Sequence, residues 1–162
     1  GASRPKFFSG VIMVVLKLFN MLQPDFVYFG EKDIQQLFII KKMIEDFNYP
    51  ITMRACKTVR DKNGLALSSR NSYLSNSEKE EASILYKALK YGEELIKKNK
   101  NIDYIKEEMK KMVNNENIVI DYLSIADLNT FEEVDKNSNR PILISGALYY
   151  KKVRLIDNIL VT

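Results

Sequence analysis

Phe26-Val27-Tyr28-Phe29-Gly30-Glu31-Lys32-Asp33 is the stretch that decides the fold. Four β-prone residues stopped by a glycine read as a core strand. From Asp33 to about Phe47, the apolar residues Leu37, Ile40, Met43 and Ile44 recur at helical spacing. Pro50 follows, and Ile51 to Ala55 reads as a second strand. Strand, helix and strand at this spacing predict a right-handed parallel unit. In open parallel sheets, ligands collect where a strand's carboxyl end turns into a helix. Gly30 to Asp33 stands at that turn. Unpaired N–H groups and the partial positive charge of a helix start favour phosphate. Lys32 adds an ammonium, and Gly30 lets a ligand approach the backbone. Asp33 can accept from two ribose hydroxyls. A purely structural role competes for the same residues, because Asp33-x-x-Gln36 has the spacing of a capping box. The two roles can coexist on Asp33.

Further along lies Gly64-Leu65-Ala66-Leu67-Ser68-Ser69-Arg70, entered through Arg60, Asp61 and Lys62. A flexible glycine, two hydroxyls and a guanidinium fork suit a loop that wraps a polyphosphate. The plainer alternative is a surface loop whose serines cap the next element. The boundary between the two halves falls near residues 57–73, so the expected division is a first domain over 1–60, a phosphate-binding hinge loop over 61–73, and a second domain over 74–162. Pockets concentrate at such junctions.

Upstream, Gly1 to Gly10 reads as a loop broken by Pro5 and Gly10. Residues 10–22 are apolar enough for strand or helix, and their length predicts a mostly buried helix ended by Pro24 and Asp25. The run is too short to span a bilayer, which takes about 20 apolar residues. The first residue is not Met, so the chain is expected to open within a longer protein. Downstream, Ser75 and Ser77 with Glu78, Glu80 and Glu81 mark a helix start. That helix is predicted to reach about Lys98, with Ile84, Leu85, Leu89 and Leu95 facing a core. The cluster Lys97-Lys98-Asn99-Lys100 reads as its solvated end. A second helix is predicted over 102–113 and a turn over 114–117. Strands follow at about 118–125, 141–149 and 152–160, with Tyr149 to Lys152 as the last hairpin turn. This second half reads as α+β with antiparallel pairing.

Composition narrows the chemistry. A chain of 162 residues, 46% hydrophobic, suits one domain or two small ones. The net charge of +4 favours anionic ligands without demanding nucleic acid. Cys56 is the only cysteine, so no internal disulfide forms, as expected in the cytoplasm. Histidine is absent, which removes the commonest general base and zinc ligand. Cys56 at a strand end reads as a small core residue. Phe7, Phe8, Tyr28 and Phe29 read as packing, and Asp157 and Asn158 as structural residues fixing a turn.

Several stretches share an order and spacing with one family. They are Gly1-Ala2-Ser3-Arg4-Pro5, Lys17-Leu18-Phe19-Asn20, Gln23-Pro24-Asp25, Phe29 to Gln36, Asp61 to Leu74, and Arg154-Leu155-Ile156-Asp157-Asn158. Over nearly its whole length the sequence resembles the pantothenate synthetase (pantoate–β-alanine ligase) family. The resemblance implies an α/β fold: the second half of a Rossmann-like nucleotidylyltransferase domain followed by a small α+β C-terminal lid domain. It implies a two-step ligation. Pantoate carboxylate attacks the α-phosphorus of ATP, and β-alanine then attacks the pantoyl adenylate, releasing AMP. Carried over by position, Gly30, Glu31, Lys32 and Asp33 contact ATP, with Lys32 on phosphate and Asp33 on ribose. Gln36 binds pantoate. The backbone of Val59 reads adenine, and Leu67, Ser68, Ser69 and Arg70 close over ATP. Lys32, Ser68, Ser69 and Arg70 are the expected catalytic group, assisted by Mg²⁺ arriving with ATP. No metal site of the chain's own is expected.

In-line attack at phosphorus needs alignment and charge stabilisation, which cations and hydroxyls supply without a side-chain base. Two departures from the family stand out. Its histidine-containing phosphate motif lies in a part that this sequence lacks, so the chain alone is expected to be inactive as a ligase. Phe7 also stands where the family has a histidine, and Arg4 carries over only weakly. The expected partners are ATP, pantoate, β-alanine and a second copy of the chain, with no nucleic acid or membrane. Two other readings remain: a non-catalytic nucleotide- or nucleic-acid-binding module on the same fold, and an enzyme adenylylating a different acid. The Gln36 spacing argues against the latter.

Overall fold

A computed structural model describes residues 7–135 and 140–161; the segment carrying Arg4 lies outside them. The chain divides into two compact units, Gly1–Thr58 and Val59–Thr162. In the first, α1 (Phe7–Leu22) leads into β1 (Phe26–Gly30), a single 3₁₀ turn over Glu31–Asp33, α2 (Ile34–Asp46) and β2 (Thr52–Cys56). β1 and β2 pair in parallel, with Phe26 opposite Thr52 and Gly30 opposite Cys56. The strand–helix–strand unit is thus present. Its core is Phe19, Ile40, Met43 and Ile44, flanked by Val15, Leu16, Val27 and Phe29.

Three expectations fail in this unit. The helix starts at Phe7 rather than Gly10. A glycine in a helix interior costs about 1 kcal/mol. Burying one large apolar side chain contributes about 1.5–3 kcal/mol, so the stripe Val11, Ile12, Val15 and Phe19 carries the helix through Gly10. Second, α1 is not mostly buried: Phe19 is buried, and Val11, Ile12, Val15 and Leu16 are partly buried against the core. Met13, Val14, Leu18, Met21 and Leu22 are exposed, because α2 offers one face to pack against. Third, Cys56 is exposed rather than core, and so is Tyr28, at 68%. Both alternate onto the sheet face turned away from Val27 and Phe29.

The second unit carries α3 (Asn76–Ala82), α4 (Ile84–Lys97) and α5 (Ile102–Val113), then β3 (Ile118–Asp127), β4 (Ile142–Tyr150) and β5 (Val153–Val161). The sheet is antiparallel in the order β3-β4-β5. Leu85, Leu89, Ile105 and Met109 pack on Ile144 and Leu148 in one core. The expected helix start forms, closed by a capping box in which Ser75 and Glu78 bond reciprocally. The predicted continuous helix over 75–98 is instead two, broken at Ser83. The buried Ser83 hydroxyl donates to the Glu80 carbonyl at 2.6 Å, a local bond that competes with helical pairing. The last turn is Lys151-Lys152 alone, with Lys151 at φ 52°, since pairing continues to Tyr150 opposite Val153. Asp157 and Asn158 are structural, as expected. They fix no turn, however; they lie buried within β5.

Among the described residues, no helix is long and apolar enough to cross a membrane.

Candidate functional site

The strand-to-helix turn of the first unit gathers Gly30, Glu31, Lys32 and Asp33 in consecutive positions, with Gln36 one turn into α2. Asp33 is the N-cap residue of α2, yet its side chain makes no capping hydrogen bond. The capping-box alternative is therefore not realised. The carboxylate is half exposed and lies 3.6 Å from the Lys32 ammonium, itself largely buried. Gly30 has an ordinary extended backbone, φ −75° and ψ 135°, and a Cβ there would meet nothing within 4 Å. Neither conformation nor internal packing demands a glycine at that point.

In the second unit, Val59 to Leu74 folds back on itself. Asp61 N–H donates to the Leu65 carbonyl, and Leu67 N–H to the Val59 carbonyl, both at 2.9 Å. The Asp61 carboxylate accepts from the N–H groups of Asn63 and Leu65 at 2.9 and 3.0 Å, closing an Asx turn. Gly64 sits at φ 93°, in the left-handed region that favours glycine. Leu65 and Leu74 are buried in the core of the unit. Between these anchors, Leu67, Ser69 and Arg70 are exposed. Ser68 does cap the following 3₁₀ turn, accepting from Arg70 N–H at 3.2 Å. Its hydroxyl proton is not used in that bond. Among the described residues, no ion pair engages the Arg70 guanidinium.

The fixed part of this loop was not legible as a site from sequence. Arg60 sends both arms of its guanidinium to the Asp157 carboxylate, at 2.5 and 2.9 Å. It also donates to the Gly64 carbonyl at 3.1 Å and lies over the Tyr86 ring, 3.7 Å from its centroid. Asp157 is 97 positions away in the chain and Tyr86 lies on a different element, so no local spacing signals either contact. Among the described residues, no group of three or more His, Cys, Asp or Glu side chains can hold a metal ion.

The model of the pantoate-beta-alanine ligase family matches residues 1–160. The chain belongs to the pantoate-beta-alanine ligase family. It is 46% identical over 163 aligned positions to a pantothenate synthetase of Caldicellulosiruptor bescii, covering 99% of this chain and 57% of that protein. The crystal structure of a Thermus thermophilus pantothenate synthetase superposes with a TM-score of 0.89 at 35% identity, covering 98% of this chain and 58% of that one. A pantoate-beta-alanine ligase from Francisella tularensis, complexed with beta-gamma ATP and beta-alanine, gives a TM-score of 0.71 at 33% identity, covering 99% and 52%. The chain thus spans a little over half the length of the relatives it matches.

The first unit presents a carboxylate and an ammonium at a helix start, and the second presents hydroxyls and a guanidinium on a pinned loop. Ammonium and guanidinium groups, hydroxyls and the N–H groups of a helix start are all donors that can bind anions.

Proposed function

We propose that this chain carries much of the ATP-binding machinery of a pantothenate synthetase. The whole protein joins pantoate to β-alanine through a pantoyl adenylate. The observation that carries this reading is Asp33, an N-cap carboxylate that leaves its own helix uncapped. A carboxylate at an N-cap ordinarily contributes about 1 kcal/mol by bonding the helix N–H groups. Forgoing that contribution is intelligible if the group serves a ribose. Lys32 beside it serves a phosphate, and open space at Gly30 admits the nucleotide to the backbone. Ser68, Ser69 and Arg70 supply donors to the phosphates, Val59 offers its backbone to adenine, and Gln36 binds pantoate. The roles of Glu31 and Leu67 are contacts along the same nucleotide.

The chemistry these residues do is positioning and charge stabilisation. Pantoate arrives as a carboxylate, so no side-chain base is needed for its attack on the α-phosphorus. The Arg70 guanidinium and the Lys32 ammonium stabilise charge on the phosphoryl and departing pyrophosphate oxygens. Mg²⁺ bound to ATP would add charge neutralisation at the phosphates, and no side chain of this chain is assigned to hold it. The protein acts in the cytoplasm as a homodimer.

Titration of Mg·ATP into this chain tests the reading. Binding at one site is expected, weakened about tenfold or more by Asp33→Asn or Lys32→Ala. Single-stranded RNA is the counter-ligand. RNA binding with no response to ATP would overturn the ligase reading in favour of a nucleic-acid module.

A further inference from the structure

We propose that Arg60 is a positioning residue for nucleotide binding. Its guanidinium is fixed by Asp157, Tyr86 and Gly64, and it holds the stem from which Ser68, Ser69 and Arg70 extend. This inference rests on the ATP reading above and assigns a role to a residue that touches no substrate.

Three observations support it. Arg60 joins three separate parts of the second unit: Asp157 on β5, Tyr86 on α4 and the Gly64 carbonyl on the loop. Its side chain is 18% exposed and that of Asp157 is 4% exposed. A pair this buried is costly to desolvate and needs near-ideal geometry to be worth keeping. A bidentate fork meets that need, and the same planar group stacks on the Tyr86 ring.

The stem itself is the second observation. Arg60 and Ala66 form an antiparallel bridge, and the Val59 carbonyl next to it accepts from Leu67 N–H. Locking Arg60 therefore locks both ends of the hairpin, including the backbone assigned to adenine and the residue preceding the serines. The third is the far anchor. Asn71, 7% exposed, donates through Nδ2 to the Ala66 carbonyl at 3.1 Å, and its N–H donates to the Ser68 carbonyl at 3.0 Å. The exposed span from Leu67 to Arg70 is held between two buried points. Ordering those residues before ATP arrives removes an entropy cost that binding would otherwise bear.

Arg60→Lys separates positioning from bulk stability. Lysine keeps the charge but loses the second arm of the fork and the planar stack. The expected result is an ATP Kd raised about tenfold, measured well below the melting temperature. Amide hydrogen exchange at Leu65 and Leu67 should speed up in parallel without ligand. Ile105→Val, in the same unit's core, serves as the matched control: it lowers the melting temperature and leaves the ATP Kd unchanged. Tyr86→Leu tests the same point by removing only the stacking face, should Arg60→Lys not fold. Unaltered ATP affinity in a folded Arg60→Lys or Tyr86→Leu variant would overturn the inference while leaving the ATP reading intact. Absence of ATP binding by the unaltered chain would overturn the ATP reading and this inference with it.

Discussion

Asp33 and Glu78 both stand at helix starts, and the structure uses them differently. Asp33 leaves its helix uncapped. Glu78 completes a capping box and receives a bond from Lys151 at 2.6 Å. The Lys151 ammonium, then the Ser75 N–H and hydroxyl, hold the Glu78 carboxyl down at about 2, against an ordinary 4.5. A carboxyl lowered in the folded state stabilises the fold above its unfolded value, and that stabilisation is lost as pH falls toward the folded one. Melting temperature should therefore drop between about pH 4.5 and 2, and Glu78→Gln should flatten part of that drop. Identical acid profiles for the two proteins would contradict the assignment. Tyr150 shows the opposite sign. Its hydroxyl donates to Glu81 at 2.7 Å, and that bond with burial pushes the phenol up to about 12. The helix start at Ser75 was legible in the sequence because Ser75 and Glu78 are three residues apart. It carried no sign of the Tyr150–Glu81 contact, whose members are 69 apart.

At the scale of elements, short-range patterns read well and breaks read poorly. The apolar spacing of Leu37, Ile40, Met43 and Ile44 marked α2, and all four are buried. The expected single helix over 75–98 is two, and apolar spacing does not mark the break: Ala82, Leu85 and Leu89 keep helical spacing across Ser83. A hydroxyl bonding back to a carbonyl changes the path without changing the pattern. The site loop was legible as a motif, but its support was not. Gly64 illustrates the difference: its left-handed backbone is a local property, while its close approach to Tyr86 is a tertiary one. A Cβ at Gly64 would lie 2.6 Å from the Tyr86 ring. Gly64→Ala is therefore expected to destabilise the second unit by roughly 1–3 kcal/mol, from strain and overpacking together. Urea unfolding monitored by far-ultraviolet circular dichroism checks this, and an unchanged midpoint would contradict it.

At the scale of the whole molecule, the described residues give the first unit a parallel pair with two helices, and the second an antiparallel sheet with three. Parallel sheets are ordinarily covered on both faces, yet Phe26 and Tyr28 are exposed on one face of β1. Relatives of this family are longer than the chain. We therefore expect the chain alone, given ATP, pantoate and β-alanine, to form no pantothenate above background. Robust turnover would show that these residues suffice. The proposal at stake is that Lys32 and Arg70 are ATP-binding residues. Calorimetric titration of Mg·ATP into the unaltered chain, Lys32→Ala and Arg70→Ala tests it most directly. The predicted result is ATP binding that each substitution weakens about tenfold or more; full affinity in either variant would contradict it.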